Sequence, residues 1–192
     1  GVRCWPEFFE EMKCSACGAV SMLTNDMVPT GCEADINGTI TDLMLQWASG
    51  GTAFSTDVVV SDAERDVTVI WHCGQAPLSM ADPETRPGAT VHSNRKLALL
   101  MDFSLKPGPV TVARLSRATG ELRMVLARGT MLKSSRSFSG TSGLLRFERP
   151  ADQVLDTILG EGLEHHLSVT YGDHFDVMQA AAEMLDIPVL VL

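Results

Sequence analysis

The sequence predicts a mixed α/β chain, in which a truncated α/β N-terminal portion precedes a β-barrel-like antiparallel domain with flanking helices. Three observations predict it. Apolar residues recur at helical spacing as far as residue 50. From residue 52 they alternate in short runs separated by turn residues, the mark of strands. Beyond residue 150 helical and strand patterns take turns. We therefore expect residues 1–50 to be a helical remnant of a preceding α/β domain and residues 51–192 to form a C-terminal barrel-like domain. The opening Gly1-Val2-Arg3-Cys4-Trp5-Pro6 has no Met and starts in mid-element, which suggests the C-terminal piece of a longer protein.

Residues 7–24 predict the first helix, with Phe8, Met12, Ala16 and Val20 on one stripe. Cys14 and Cys17 form a CxxC within it. It lacks the second CxxC or His pair of a zinc module, and no strand precedes it as in a redox motif. Buried small hydrophobes are the simpler account. After a Pro/Gly connection from Met27 to Cys32, Asp35 is placed to cap a second helix. Ile36, Ile40, Leu43, Met44 and Trp47 make its apolar face, and Gly50-Gly51 ends it.

Strands are predicted at 52–60, 66–72, 97–105, 109–117, 121–128 and 143–149, with a hairpin turn at Ala118-Thr119-Gly120-Glu121. Six strands with short connections suggest a barrel or sandwich. Residues 74–96, rich in Pro, Ser and Asp, read as a long loop, and Ser134–Ser142 as a shorter one. The chain ends with a helix at 151–160, a strand at 167–171, a helix at 174–185 and a strand at 187–192.

Composition removes several function classes. The 192 residues carry a net charge of −9 and no Lys/Arg run longer than two, which excludes a clustered phosphate-binding surface and so a nucleic-acid partner. No apolar stretch reaches the roughly 18–20 residues of a membrane helix, so no membrane partner is expected. Five cysteines, an odd number without a dense framework, favour a reducing compartment, and we expect the cytoplasm. There is no P-loop, no GxGxxG and no Gly-x-Ser-x-Gly elbow.

Against that background, a few polar residues sit where polar groups are costly. Asp57 lies in Phe-Ser-Thr-Asp-Val-Val-Val, His72 closes Val-Thr-Val-Ile-Trp-His, and His165-His166 open Leu-Ser-Val-Thr-Tyr. Glu33 stands just ahead of the second helix, where the helix dipole favours an anion. Taken singly, Glu33 is equally a helix-flanking carboxylate and His72 a satisfied core histidine. Consecutive residues of a strand face opposite ways, so only one of His165 and His166 can serve a given site. Together, two carboxylates and one or two imidazoles on separate segments suit Mn or Mg better than a thiolate site would. His92 and His174 have no acidic neighbours at useful spacing. Trp5, Trp47 and Trp71 fit a core, although Trp5 beside Pro6 could stack on a sugar ring.

Several stretches resemble a known family: Arg3-Cys4-Trp5-Pro6-Glu7-Phe8, Gly31-Cys32-Glu33-Ala34-Asp35-Ile36, the Asp57 strand, Trp71-His72-Cys73-Gly74, and His165-His166 through Ile187-Pro188. In that order they resemble the C-terminal part of L-fucose isomerase-like proteins and, more distantly, L-arabinose isomerase. The resemblance implies an aldose–ketose isomerase acting on a small sugar, with a divalent metal, usually Mn, with Mg as the alternative. It implies Glu33, Asp57 and His166 as metal ligands, His72 as a fourth by analogy with the arabinose branch, and Glu33 and Asp57 as the pair that moves the proton. It also implies homo-oligomers of a longer chain. Residues 74–150 match loosely, and substrate choice is expected to lie there. The competing reading is a non-catalytic carbohydrate-binding or regulatory homologue that keeps the fold. Such a binder needs neither acidic ligand, and turnover separates the two.

Overall fold

A computed structural model describes residues 4–192, apart from the side chain of Trp5. Arg3 of the N-terminal motif and the Trp5 ring therefore lie outside the described residues. A π-helical turn, Cys4–Phe8, leads to α1, Cys17–Asn25, and α2, Ile36–Ser49. The strands β1 (Ala53–Asp62), β2 (Val67–His72), β3 (Gly88–Val91), β4 (Ala98–Ser104), β5 (Gly108–Ser116), β6 (Arg123–Leu132) and β7 (Thr141–Phe147) follow. The chain ends with α3 (Ala151–Gly160), β8 (His166–Tyr171), α4 (Phe175–Met184) and β9 (Val189–Val191).

Six strands close into an antiparallel barrel in the order β7-β2-β1-β8-β5-β6, the β6–β7 pairing completing the ring. Closure removes the unpaired edges that an open sheet would leave. The remaining strands extend the wall: β4 joins β7 in parallel, β3 pairs with β4, and β9 runs parallel to β6. Alternation sorts the side chains into two layers. Phe54, Ile70, Val112, Val125, Leu145 and Val169 belong to the larger core, whereas Ala53, Ala113, Leu115, Met124 and Leu126 meet Leu45 of α2 and Phe175, Met178 and Ala182 of α4. Among the described residues no helix is long and apolar enough to cross a membrane.

Three expectations change. The predicted 7–24 helix is interrupted, with turns and bends ahead of Cys17. Lys13 takes a left-handed φ of 55° and the Ser15 amide is drawn to the carbonyl of Ala98, so a tertiary bond overrides helical spacing. Met12 is left 64% exposed. The segment 74–96 is more ordered than a plain loop, holding a 3-10 turn, Leu78–Met80, and the strand β3.

The third change matters most for function, because α2 is turned over relative to expectation. Ile36 and Trp47 are 70% and 75% exposed, while Gly38, Thr41, Asp42, Leu45 and Gln46 are buried. The polar face lies on the barrel because it finds partners there. Thr41 Oγ1 accepts the Leu115 amide at 2.9 Å, and Ser55 Oγ donates to Asp42 Oδ2 at 3.2 Å. The apolar face of α2 instead lines an open groove of about 480 Å3 with Val177, Ala181 and Leu185.

Candidate metal centre on the barrel wall

Strand register builds the site. Asp57 of β1 is directly opposite His166 of β8 on one side and Trp71 of β2 on the other. Directly opposed residues project from the same face with Cβ atoms about 4.5–5.5 Å apart, so these three side chains stand together. The face is the outer one, covered by α2: Ser55 and Ser168, two residues from Asp57 and His166, bond to Asp42 and to the Gly38 carbonyl. The N-terminus of α2 opens beside this row. Just ahead of it, Glu33 and Ala34 both adopt left-handed φ values, 56° and 58°. That conformation is uncommon for residues with a Cβ.

Glu33, Asp57, His72 and His166, the residues singled out from sequence, are brought to one neighbourhood. The candidate ligand atoms of Asp57, His72 and His166 lie within 4.8 Å of one another, and so do those of Glu33, His165 and His166. His166 is common to both groups. Its Nε2 is 3.6 Å from Asp57 Oδ1, and His165 Nε2 is 3.3 Å from Glu33 Oε2 and 3.7 Å from Asp57 Oδ1. His165 thus reaches the site as well, from a more exposed position.

The donor set fits a divalent cation. Oxygen and imidazole ligands in this mixture suit Mn or Mg. The Nε2 atoms of both His72 and His166 are buried and bonded to nothing among the described residues. Such a buried polar atom costs about 1–3 kcal/mol unless something satisfies it. A cation near His166 Nε2 would do so.

Electrostatics follow from burial and pairing. Burial alone would raise the Asp35 carboxyl, but hydrogen bonds from His166, Arg114 and the Gly38 amide hold it well below the usual carboxylate range. Burial pulls His166 down, and the bond to Asp35 with the nearby charge of Asp57 more than reverses this, leaving it above its ordinary value. Burial raises the Asp57 carboxyl and lowers His72 to about 3, so His72 is neutral. Between α2 and the barrel, burial pushes Asp42 up to about 7 against bonds from Ser168 and Ser55.

Sequence reasoning missed four contributors. Asp35 caps α2 as expected, its Oδ1 accepting the Gly38 amide at 2.9 Å, but its Oδ2 also bonds His166 Nδ1 at 2.9 Å. Arg114, buried in β5, bonds the same Oδ2. Asp42 was hidden by assigning the wrong face of α2 to the core; an Asp among Thr41, Leu45 and Gln46 at helical spacing was its signal. Trp71 lines a pocket of about 320 Å3 with Val59, Ser93, Asn94, Phe138 and Ser139 rather than joining the core. That pocket draws on residues 74–150, where substrate choice was expected. His92 and His174 are engaged locally: His92 Nδ1 accepts the Asn94 amide at 3.2 Å, and His174 Nε2 lies 3.2 Å from the Tyr171 carbonyl. Cys14 and Cys17 are not bridged, and Cys17 is buried.

Comparison with known proteins adds to this geometry. The family model described as L-fucose isomerase, C-terminal domain, matches residues 70–192. A sulfoquinovose isomerase of Priestia aryabhattai is 36% identical over 187 residues, covering 97% of this chain and 42% of that protein. Sulfoquinovose isomerases of Alkalicoccus urumqiensis and Clostridium sp. (strain MSTE9) are each 32% identical, covering 98% and 95% of the chain. The chain spans less than half the length of these curated relatives, 43% and 41% for the latter two.

Proposed function

This chain belongs to the L-fucose isomerase C-terminal domain family, and from that premise we propose that it carries most of the ligand set of a metal-dependent aldose–ketose isomerase working through an enediol. The observation that carries the proposal is the register of β1 and β8, which sets Asp57 against His166 at the mouth of α2, with Glu33 and His72 beside them. Glu33, Asp57 and His166 are assigned as ligands, and a bound Mn or Mg would polarise the sugar oxygens as a Lewis acid.

The chain's own residues account for the rest. Isomerisation moves a proton between C1 and C2, and a carboxylate must take it from one carbon and return it to the other. Asp57, which strand register sets against His166, is assigned to that task. Glu33 is the second carboxylate of the pair. Asp35 and Arg114 fix the His166 ring from behind. The Trp71–Phe138 pocket adjoins Asp57 through strand register and offers an aromatic wall with Ser93, Asn94 and Ser139 around it, so we assign it the end of the sugar remote from C1 and C2. The relatives make sulfoquinovose the first sugar to test. Homo-oligomeric assembly and a cytoplasmic location are part of the same proposal and rest on the family resemblance and the cysteine usage.

The test is ketose formation by EDTA-stripped full-length protein on sulfoquinovose, L-fucose and L-arabinose, with and without Mn. Turnover that appears only with Mn supports the reading. Mn binding without turnover of any of these sugars favours a binding homologue, and turnover unaffected by metal removal overturns the metal assignment.

A further inference from the structure

One ring nitrogen of His72 lies within 4.8 Å of one ligand atom each of Asp57 and His166, which invites a ligand role for it. We propose instead that His72 is a neutral N–H donor within the site and not a metal ligand. The proposal deepens the sugar-isomerase reading above, since the acceptor it implies is a sugar oxygen.

The argument is one of proton placement. The backbone amide of Cys73 donates to His72 Nδ1 at 2.8 Å. An amide N–H can only donate, so Nδ1 must offer its lone pair. A neutral imidazole carries one proton, which therefore sits on Nε2. An Nε2 that bears a proton has no lone pair for a cation. Rotating the ring by half a turn would set a C–H against the Cys73 amide and lose the bond. Protonating both nitrogens would set one N–H against another.

The backbone around Cys73 is held firmly, so this amide is not free to turn away. The His72 carbonyl accepts the Gly74 amide at 2.6 Å, and Gly74 has a left-handed φ of 91°. A Cβ at Gly74 would lie 2.3 Å from the Met101 carbonyl oxygen, so the chain is tightly enclosed at this turn. The Trp71 ring stacks beside His72, the planes 13° apart.

His166 is wired in the opposite sense. Asp35 is an ionised acceptor at 2.9 Å from Nδ1, so in the neutral ring, the form that can bind a cation, the proton lies on Nδ1 and Nε2 keeps its lone pair. Two neighbouring histidines, whose Nε2 atoms are buried and unbonded among the described residues, thus offer opposite chemistry: His166 a lone pair and His72 a proton. A buried N–H without an acceptor is rare in folded proteins. A sugar oxygen that gains negative charge as the proton moves is the acceptor this site lacks, and a fixed neutral donor stabilises such charge.

Two measurements on the full-length protein test this. Histidine-selective 15N NMR of the metal-free protein at alkaline pH, where His166 is neutral, with His72 assigned from the spectrum of His72→Gln, should show the proton on Nε2 of His72 and on Nδ1 of His166. Titration with Mn2+ alone should give affinities within about threefold for wild type and His72→Gln, while His166→Ala binds at least ~100-fold more weakly. A proton on Nδ1 of His72, or a loss of Mn2+ affinity in His72→Gln as large as in His166→Ala, would overturn the proposal. Should wild type bind no Mn2+, the metal reading under Proposed function fails, and the NMR experiment still decides the placement of the His72 proton.

Discussion

Asp35 Oδ2 accepts the Nδ1–H of His166 at 2.9 Å while the other oxygen of the same carboxylate caps α2 through the Gly38 amide. One side chain therefore ties the start of α2, and with it Glu33 two residues earlier, to the imidazole across the site. Arg114, buried behind Asp35, supplies the countercharge that keeps the carboxylate ionised. The arrangement makes the orientation of His166 depend on a helix cap.

Asp35→Ala should accordingly show two separable defects. Loss of the cap costs about 0.5–2 kcal/mol of stability, and leaving the buried Arg114 without its nearest countercharge adds to that loss. Loss of the partner to His166 weakens Mn2+ binding by about 10–100-fold, as is usual when the carboxylate behind a ligand histidine is removed. Asp35→Asn retains an acceptor for the Gly38 amide and should recover the cap, but neither the pairing of Arg114 nor the full metal affinity. Thermal melts and Mn2+ titrations on the same samples measure both, and an unchanged affinity in Asp35→Ala would show that His166 needs no such support.

Glu33→Gln and Asp57→Asn should each abolish turnover with little effect on the melting curve. Both replacements conserve size and remove only the charge and the capacity to hold a proton. Glu33 is exposed and Asp57 half-buried, and both replacements keep the side chain's size, so neither change opens a cavity. Either variant retaining activity near that of wild type, with a normal melt, would remove that residue from the proton-moving pair.

Asp42 gives the metal-free fold a pH dependence of predictable sign. Its folded carboxyl titrates at about 7 against an ordinary value of 3.8, so the folded state holds this proton more tightly than the unfolded chain. The stability it contributes is complete below the unfolded value and is lost as pH rises through about 7, by on the order of 4 kcal/mol at full ionisation. Asp42→Asn keeps a side chain of the same shape and cannot ionise. Denaturant titrations should show wild type falling relative to Asp42→Asn between pH 4 and about 8, and parallel curves for the two proteins would refute the buried acid.

What could be seen in the sequence divides along a physical line. The strands were legible because alternation is a local property, and Asp57 and His72 stood out because each interrupts an apolar run. The orientation of α2 was not legible. Its more apolar stripe, from Ile36 to Trp47, faces away from the barrel because Thr41 and Asp42 find polar partners on β5 and β1 that lie far off in sequence. The second role of Asp35 was hidden in the same way: its capping function is local, whereas its bond to His166 spans 131 residues. His72 was legible as a member of the candidate cluster but not as a donor, because the direction of the Cys73 amide is set by the turn at Gly74.

The last prediction concerns the Trp71 ring, which strand register places beside Asp57. Trp71 stands across from Asp57 in register and meets Phe138 edge-on, with ring centres 6.4 Å apart. Its Nε1–H is bonded to the Ser139 carbonyl at 2.8 Å, so the same side chain both walls the pocket and holds the 138–139 segment in place. Removing the ring should weaken sugar binding while leaving the proton-moving carboxylates where they are. Trp71→Ala is therefore expected to raise KM about tenfold or more with kcat changed less, the pattern of lost uniform binding. Trp71→Phe separates the two roles, because it keeps an aromatic wall and loses only the bond to Ser139. Should the wall be what matters, Trp71→Phe will stay close to wild type. Should anchoring of the 138–139 segment be what matters, Trp71→Phe will resemble Trp71→Ala. A fall in kcat with KM unchanged in both variants would instead place Trp71 in support of Asp57 or His72, and the pocket would no longer be the seat of the sugar's far end.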